Sequence, residues 1–152
     1  MKKKLNVLQQ VAHTLNQTEV MWAIGGSVLL YFKGIAEKFN DIDIMIKESD
    51  VERAKAALLK IGKGQPNIPH PQYKTKHFLE FKIDGIDVDV IAGFTIVYQN
   101  ETHYFPLKEK DIVEKIDFKG EMIPLQSIKT WRKYYQLMER NEKVKLIDQL
   151  DK

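Results

Sequence analysis

Two pairs of aspartates, Asp41 with Asp43 and Asp87 with Asp89, stand two residues apart in stretches where polar and apolar residues alternate. In an extended strand that spacing puts both carboxylates of a pair on one side. Several carboxylates facing one spot repel each other unless a divalent cation lies between them, and an all-oxygen donor set suits Mg²⁺ or Mn²⁺. A third feature, Gly25-Gly26-Ser27, lies between the apolar runs 20–24 and 28–32. Glycines let backbone approach a ligand closely, and a helix N-terminus offers free N–H groups and partial positive charge, a combination that suits phosphate. Two cations ~3.5–4 Å apart can clamp the attacking and leaving oxygens of a phosphoryl transfer. A phosphate-binding bend beside metal-binding carboxylates points to chemistry on a nucleoside triphosphate.

Taken singly, each piece has an ordinary explanation: Gly-Gly-Ser as a plain strand–helix turn, Asp-x-Asp as the solvated face of a strand. The combination is more specific. Gly26 and Asp41 are separated by one short helical stretch, and a further acidic strand follows. Other motifs point elsewhere or nowhere. His13, His70, His77 and His103 are scattered without metal-ligand spacing. Gly62-Lys63-Gly64 lacks the remainder of a P-loop. Trp131, Tyr134 and Tyr135 read as core aromatics, with base stacking the minority reading. Lys129, Arg132, Lys133, Arg140, Lys143 and Lys145 make the C-terminal stretch basic, ordinarily a solvated face.

The positioning elements follow from periodicity. Leu5, Leu8, Val11 and Leu15 mark a helix over 3–16. A buried strand follows at 20–24, then a short helix over 28–32 with Ser27 near its N-cap and Gly34 as its stop. Residues 41–46 alternate as a strand. Ser49-Asp50-Val51-Glu52 has the form of a capping box, ahead of a helix with Val51, Ala54, Leu58 and Ile61 on one face. Residues 62–75, with Pro66, Pro69 and Pro71, read as an irregular surface loop or a lid. Strands over 77–83 and 86–91 are joined by Asp84-Gly85, and a strand pair at 95–98 and 103–105 turns at Asn100-Glu101. The last quarter reads as helical, with Ile128, Trp131, Tyr135 and Met138 in one stripe and Val144, Ile147 and Leu150 in another. The fold class is α+β, a mixed sheet with flanking helices.

Composition closes off other classes. The chain has 152 residues, 24 Lys and Arg against 21 Asp and Glu, and a net charge of +3. That length suits one domain, 1–152, with a core over about 18–123 and a helical segment over 124–152. Without cysteine there are no disulfides, thiolate metal sites or cysteine nucleophiles. No apolar run approaches a membrane span, and Met1-Lys2-Lys3-Lys4 is followed by polar interruptions rather than a signal core, so the expected location is cytoplasmic.

Gly25-Gly26-Ser27, Asn40-Asp41-Ile42-Asp43-Ile44 and Val88-Asp89-Val90 together resemble the nucleotidyltransferase superfamily with the DNA polymerase β-like fold. The likeness covers residues 20–92 and is greatest to minimal nucleotidyltransferases, which include small aminoglycoside nucleotidyltransferases and antitoxins paired with HEPN toxins. The resemblance implies that Gly25, Gly26 and Ser27 hold the triphosphate and that Asp41, Asp43 and Asp89 are catalytic and bind Mg²⁺ or Mn²⁺. Asp87 is the alternative for the third ligand. It also suggests Lys38, Arg140 and Lys143 as basic contacts to the nucleotide, the last two sharing a helix face if the helix is continuous there. The implied reaction moves a nucleoside monophosphate from a triphosphate donor, with ATP expected, to a hydroxyl on a small molecule, a protein or an RNA end. The alternative is a non-catalytic, antitoxin-like module acting through a HEPN-type partner, and a homodimer is one way to complete the site.

Overall fold

A computed structural model describes residues 1–150. The chain opens with α1 (Lys2–Thr18), which buries Val7, Leu8, Val11, Ala12 and Leu15 on one face, and β1 (Trp22–Gly25) follows, buried along its length. Next come α2 (Gly26–Phe32), β2 (Ile42–Ile46), α3 (Val51–Leu58), β3 (Lys63–Gln65), β4 (His77–Ile83) and β5 (Ile86–Ala92). A hairpin of β6 (Phe94–Tyr98) and β7 (Glu101–Phe105) precedes a second hairpin, β8 (Glu114–Phe118) and β9 (Glu121–Leu125). Two helices, α4 (Ile128–Leu137) and α5 (Asn141–Leu150), end the described chain.

Seven strands form one mixed sheet in the order β3-β4-β5-β2-β1-β9-β8, and β6-β7 make a separate two-stranded sheet. β2 and β5 run parallel, while β1 with β2 and β4 with β5 are antiparallel. The apolar positions of the central strands, among them Ile24, Ile42, Ile44, Ile46, Val88 and Val90, join one core with the inner faces of α1, α2 and α3. That leaves the opposite side of β2 and β5 to their polar residues, the alternation expected of a strand with one buried face. No helix among the described residues is long and apolar enough to cross a membrane.

Several local expectations change. The Ser49–Glu52 box does not form: Asp50, the N-cap residue of α3, gives no cap bond, its carboxylate instead accepting from the Met21 amide at 2.8 Å and from Arg53 at 3.2 Å. Tying α3 to the start of β1 outcompetes the local cap. Ser27 is not the N-cap of α2 either; Gly25 occupies that place and the Ser27 hydroxyl donates to the Asp41 carbonyl at 3.3 Å. The β6–β7 hairpin turns at Gln99-Asn100, both left-handed (φ 51° and 63°), one residue earlier than the sequence suggests. The 62–75 stretch is not wholly irregular: Lys63–Gln65 extends the sheet beside β4, and Tyr73 pairs with Ile96. Most significantly, the last quarter is not all helical. β8 and β9 form an edge hairpin, and the Ile24–Leu125 pairing of β1 with β9 carries the chain back to the sheet centre before α4 begins.

Candidate active site

Strand register builds the site. Gly25 of β1 lies opposite Asp43 of β2, Asp43 opposite Asp89 of β5, Asp89 opposite Glu80 of β4, and Glu80 opposite Gln65 of β3. Residues paired across neighbouring strands present side chains to the same face, so five strands contribute one row, Gln65–Glu80–Asp89–Asp43–Gly25. A second row runs two residues away, where Lys82 pairs with Asp87 and forms an ion pair at 3.2 Å. Asp41 continues that row at the mouth of β2. The acidic side opens into a cleft of about 320 Å³ lined by Asp41, Gln65, Pro66, Glu80, Lys82, Asp87 and Asp89.

The carboxylates do not ionise independently. Burial, then Asp41, pushes Asp43 up to about 7, although a hydrogen bond with Asp89 and the charges of Lys143 and Arg140 oppose the rise. Burial, then Asp43, Asp41, Glu80 and Asp87, lifts Asp89 to about 8. Asp41 is raised by partial burial and by Asp87, against Lys4 and Lys82. Two carboxyls in hydrogen-bond contact with elevated affinity for protons share a proton when no cation separates them. Among the described residues no group of three or more His, Cys, Asp or Glu side chains could by itself hold a metal ion. Asp43 and Asp89, in contact across the register, are an all-oxygen pair of the kind that holds Mg²⁺ or Mn²⁺ together with water and substrate phosphate.

The glycine bend is shaped from inside the protein. A Cβ on Gly26 would stand 2.2 Å from Oδ2 of Asp43, and its φ of +59° is strained for any other residue. A Cβ on Gly25 would meet the Trp131 ring at 2.3 Å. The bend thus needs glycine to admit one carboxylate and one indole. Trp131 is held by its Nε1 donating to Gln126 at 2.7 Å and by stacking on Phe94, which stacks on Tyr73.

The basic candidates divide. Lys38 is exposed in the connection between α2 and β2, whereas Lys4, not singled out from the sequence, donates to the Phe39 carbonyl at 3.0 Å and acts on Asp41. Arg140 and Lys143 both act on Asp43, but they do not share a continuous helix. α4 ends at Leu137, Glu139 takes a left-handed conformation (φ 59°), and the Arg140 amide donates back to the Tyr135 carbonyl at 2.8 Å. That turn hooks Arg140 towards the site. Gln65, Glu80 and Lys82 also escaped the sequence reading, since only register brings them beside the aspartates.

The chain's relatives agree with this architecture. A family model described as aminoglycoside-2''-adenylyltransferase matches residues 7–151. TM1012 from Thermotoga maritima, assigned as a nucleotidyltransferase, superposes with a TM-score of 0.77 at 20% identity, over 99% of this chain and 93% of that one. ANT(2'')-Ia, solved in complex with adenylyl-2''-tobramycin, gives 0.64 at 11% identity over 95% and 87%. The lincosamide antibiotic adenylyltransferase LnuA, lincomycin-bound, gives 0.59 at 15% identity over 97% and 96%. No curated protein matches the chain at a comparable level. The superpositions establish the nucleotidyltransferase fold expected from the bend and the carboxylate strands, and the family model, which spans nearly the whole sequence, shows that this chain belongs to the aminoglycoside-2''-adenylyltransferase family of nucleotidyltransferases.

Proposed function

We propose that the chain, acting as one nucleotidyltransferase domain, transfers a nucleoside monophosphate from a triphosphate, ATP, to a hydroxyl of a small amine-bearing acceptor, releasing pyrophosphate. The observation that carries this reading is the row Gly25–Asp43–Asp89, which sets the bend directly beside the paired carboxylates.

Asp41, Asp43 and Asp89 would hold divalent ions, Mg²⁺ or Mn²⁺, which when bound neutralise the polyphosphate and lower the pKa of the attacking hydroxyl. Gly26 and Ser27 provide the backbone edge against which the triphosphate lies. Arg140 and Lys143 supply positive charge near Asp43 that would offset the negative charge growing on the leaving pyrophosphate. Asp89 accepts the acceptor's proton; in its charged form its oxygens face the cleft where a hydroxyl would enter. That cleft has four acidic residues to one lysine, an electrostatic match for a polycationic amino sugar, the substrate class in the family's name.

The test is Mg²⁺-dependent transfer from labelled triphosphates to a panel of aminoglycosides, with lincosamides and uncharged sugars as contrasts. Transfer should appear with ATP and a cationic acceptor and vanish in Asp41→Ala and Asp43→Ala. Transfer that continues unchanged in both variants overturns the reading.

A further inference from the structure

One polar group beside the site has no partner. Tyr135, on α4, is 4% exposed, and its hydroxyl makes no hydrogen bond to any described residue. Yet that hydroxyl is not sealed in: the sole fully buried, unpartnered side-chain polar atom among the described residues is His103 Nε2. A tyrosine with a buried ring ordinarily finds a partner for its hydroxyl, because stranding a donor costs free energy.

Its surroundings indicate which ligand it awaits. Tyr135 stands one helical turn beyond Trp131, the two rings 5.4 Å apart, and Trp131 lies against Gly25 of the bend. Its own carbonyl receives the Arg140 amide at 2.8 Å, so the left-handed turn at Glu139 fixes the arginine beside the tyrosine. The Nε edge of Arg140 is taken by Glu142, an exposed pair. Besides burial, Asp43, Arg140, Glu142 and Tyr73 act electrostatically on the tyrosine. A neutral O–H donor and a guanidinium, with Lys143 acting alongside Arg140 on Asp43, offer a donor set for an anion beside the bend. An amine-bearing acceptor would be repelled there, and a polyphosphate attracted.

We infer that the Tyr135 hydroxyl is a donor-binding group, which with Arg140 hydrogen-bonds the polyphosphate of the nucleotide. The inference rests on the triphosphate-dependent function proposed above and assigns to this tyrosine a part beyond core packing.

Tyr135→Phe removes the oxygen and keeps the ring. Because no intramolecular hydrogen bond is lost, its melting temperature should equal or exceed that of the wild type. Calorimetric titration with a non-hydrolysable ATP analogue and Mg²⁺ should show binding weakened by about 10-fold or more, the order for one hydrogen bond to a charged group. AMP, which lacks the polyphosphate, should bind both proteins alike. Equal affinity of the two proteins for the ATP analogue overturns the inference while leaving the proposed function standing, and so does an equal loss for AMP and the analogue. A wild type that binds no triphosphate overturns both.

Discussion

Asp43 and Asp89 face each other in register across β2 and β5 and share a hydrogen bond, on strands whose other faces are sealed in the core. Both carboxyls hold their protons well above the usual carboxylate range, chiefly through burial and then through neighbouring carboxylates.

From this follows a stability profile for the cation-free protein. Native Asp43 and Asp89 titrate near 7 and 8, unfolded aspartates near 3.8. Between those limits the native state binds more protons than the unfolded one, so stability falls as pH rises from about 4 to about 8. Thermal melts in a chelator should show the decline, and Asp43→Asn should flatten it. Excess Mg²⁺ should restore stability most strongly at the alkaline end, with protons released on binding.

Gly26→Ala should be far more damaging than Gly34→Ala, although both glycines have positive φ. Nothing lies within 4 Å of a Cβ at Gly34, so only backbone strain of ~1–2 kcal/mol is expected there. At Gly26 the new methyl also displaces the Asp43 carboxylate. Transfer should drop by roughly 100-fold or more, the scale of a displaced catalytic group. Steady-state assays beside chemical denaturation separate the two effects.

Gly25 and Trp131 should couple. Trp131→Ala alone costs ~3–5 kcal/mol as a buried large-to-small change. Gly25→Ala alone forces the indole aside. In the double variant the alanine methyl enters vacated space, so the summed cost should exceed the measured one by ~0.5–3 kcal/mol. Denaturant unfolding of the four proteins checks this.

Asp87 and Asp89 should separate cleanly. Asp87 is half exposed and paired with Lys82, one row away from Asp43. Asp87→Ala should therefore leave transfer within about 10-fold of wild type. Asp89→Ala should lower it by ~10²–10⁴-fold, the range for removal of a general base. Turnover at saturating acceptor decides between them.

The aspartates were legible in the sequence because strand period two is a local property, and Asp41-Ile42-Asp43 and Val88-Asp89-Val90 carry it in plain view. Glu80 and Gln65 were not, since their place beside Asp89 depends on pairing between strands distant in sequence. Lys4 reaches the site only because α1 lies along the Phe39–Asn40 connection. The β8–β9 hairpin escaped notice for a different reason: as an edge element it keeps charged residues on its outer face, and Glu121 is spent on His13 of α1. The stripe of Trp131 and Tyr135 was read correctly as buried, but periodicity says nothing about where a hydroxyl points.

The cross-strand row has a consequence for how the chain tolerates changes in length. Deleting or inserting one residue within β2 or β5 would turn the aspartates beyond it into the apolar interior and bring isoleucines or valines out in their place. Gains and losses of residues should therefore accumulate in the proline-bearing connection at 66–72 and the stretch at 106–113, while strand lengths around the carboxylates stay fixed.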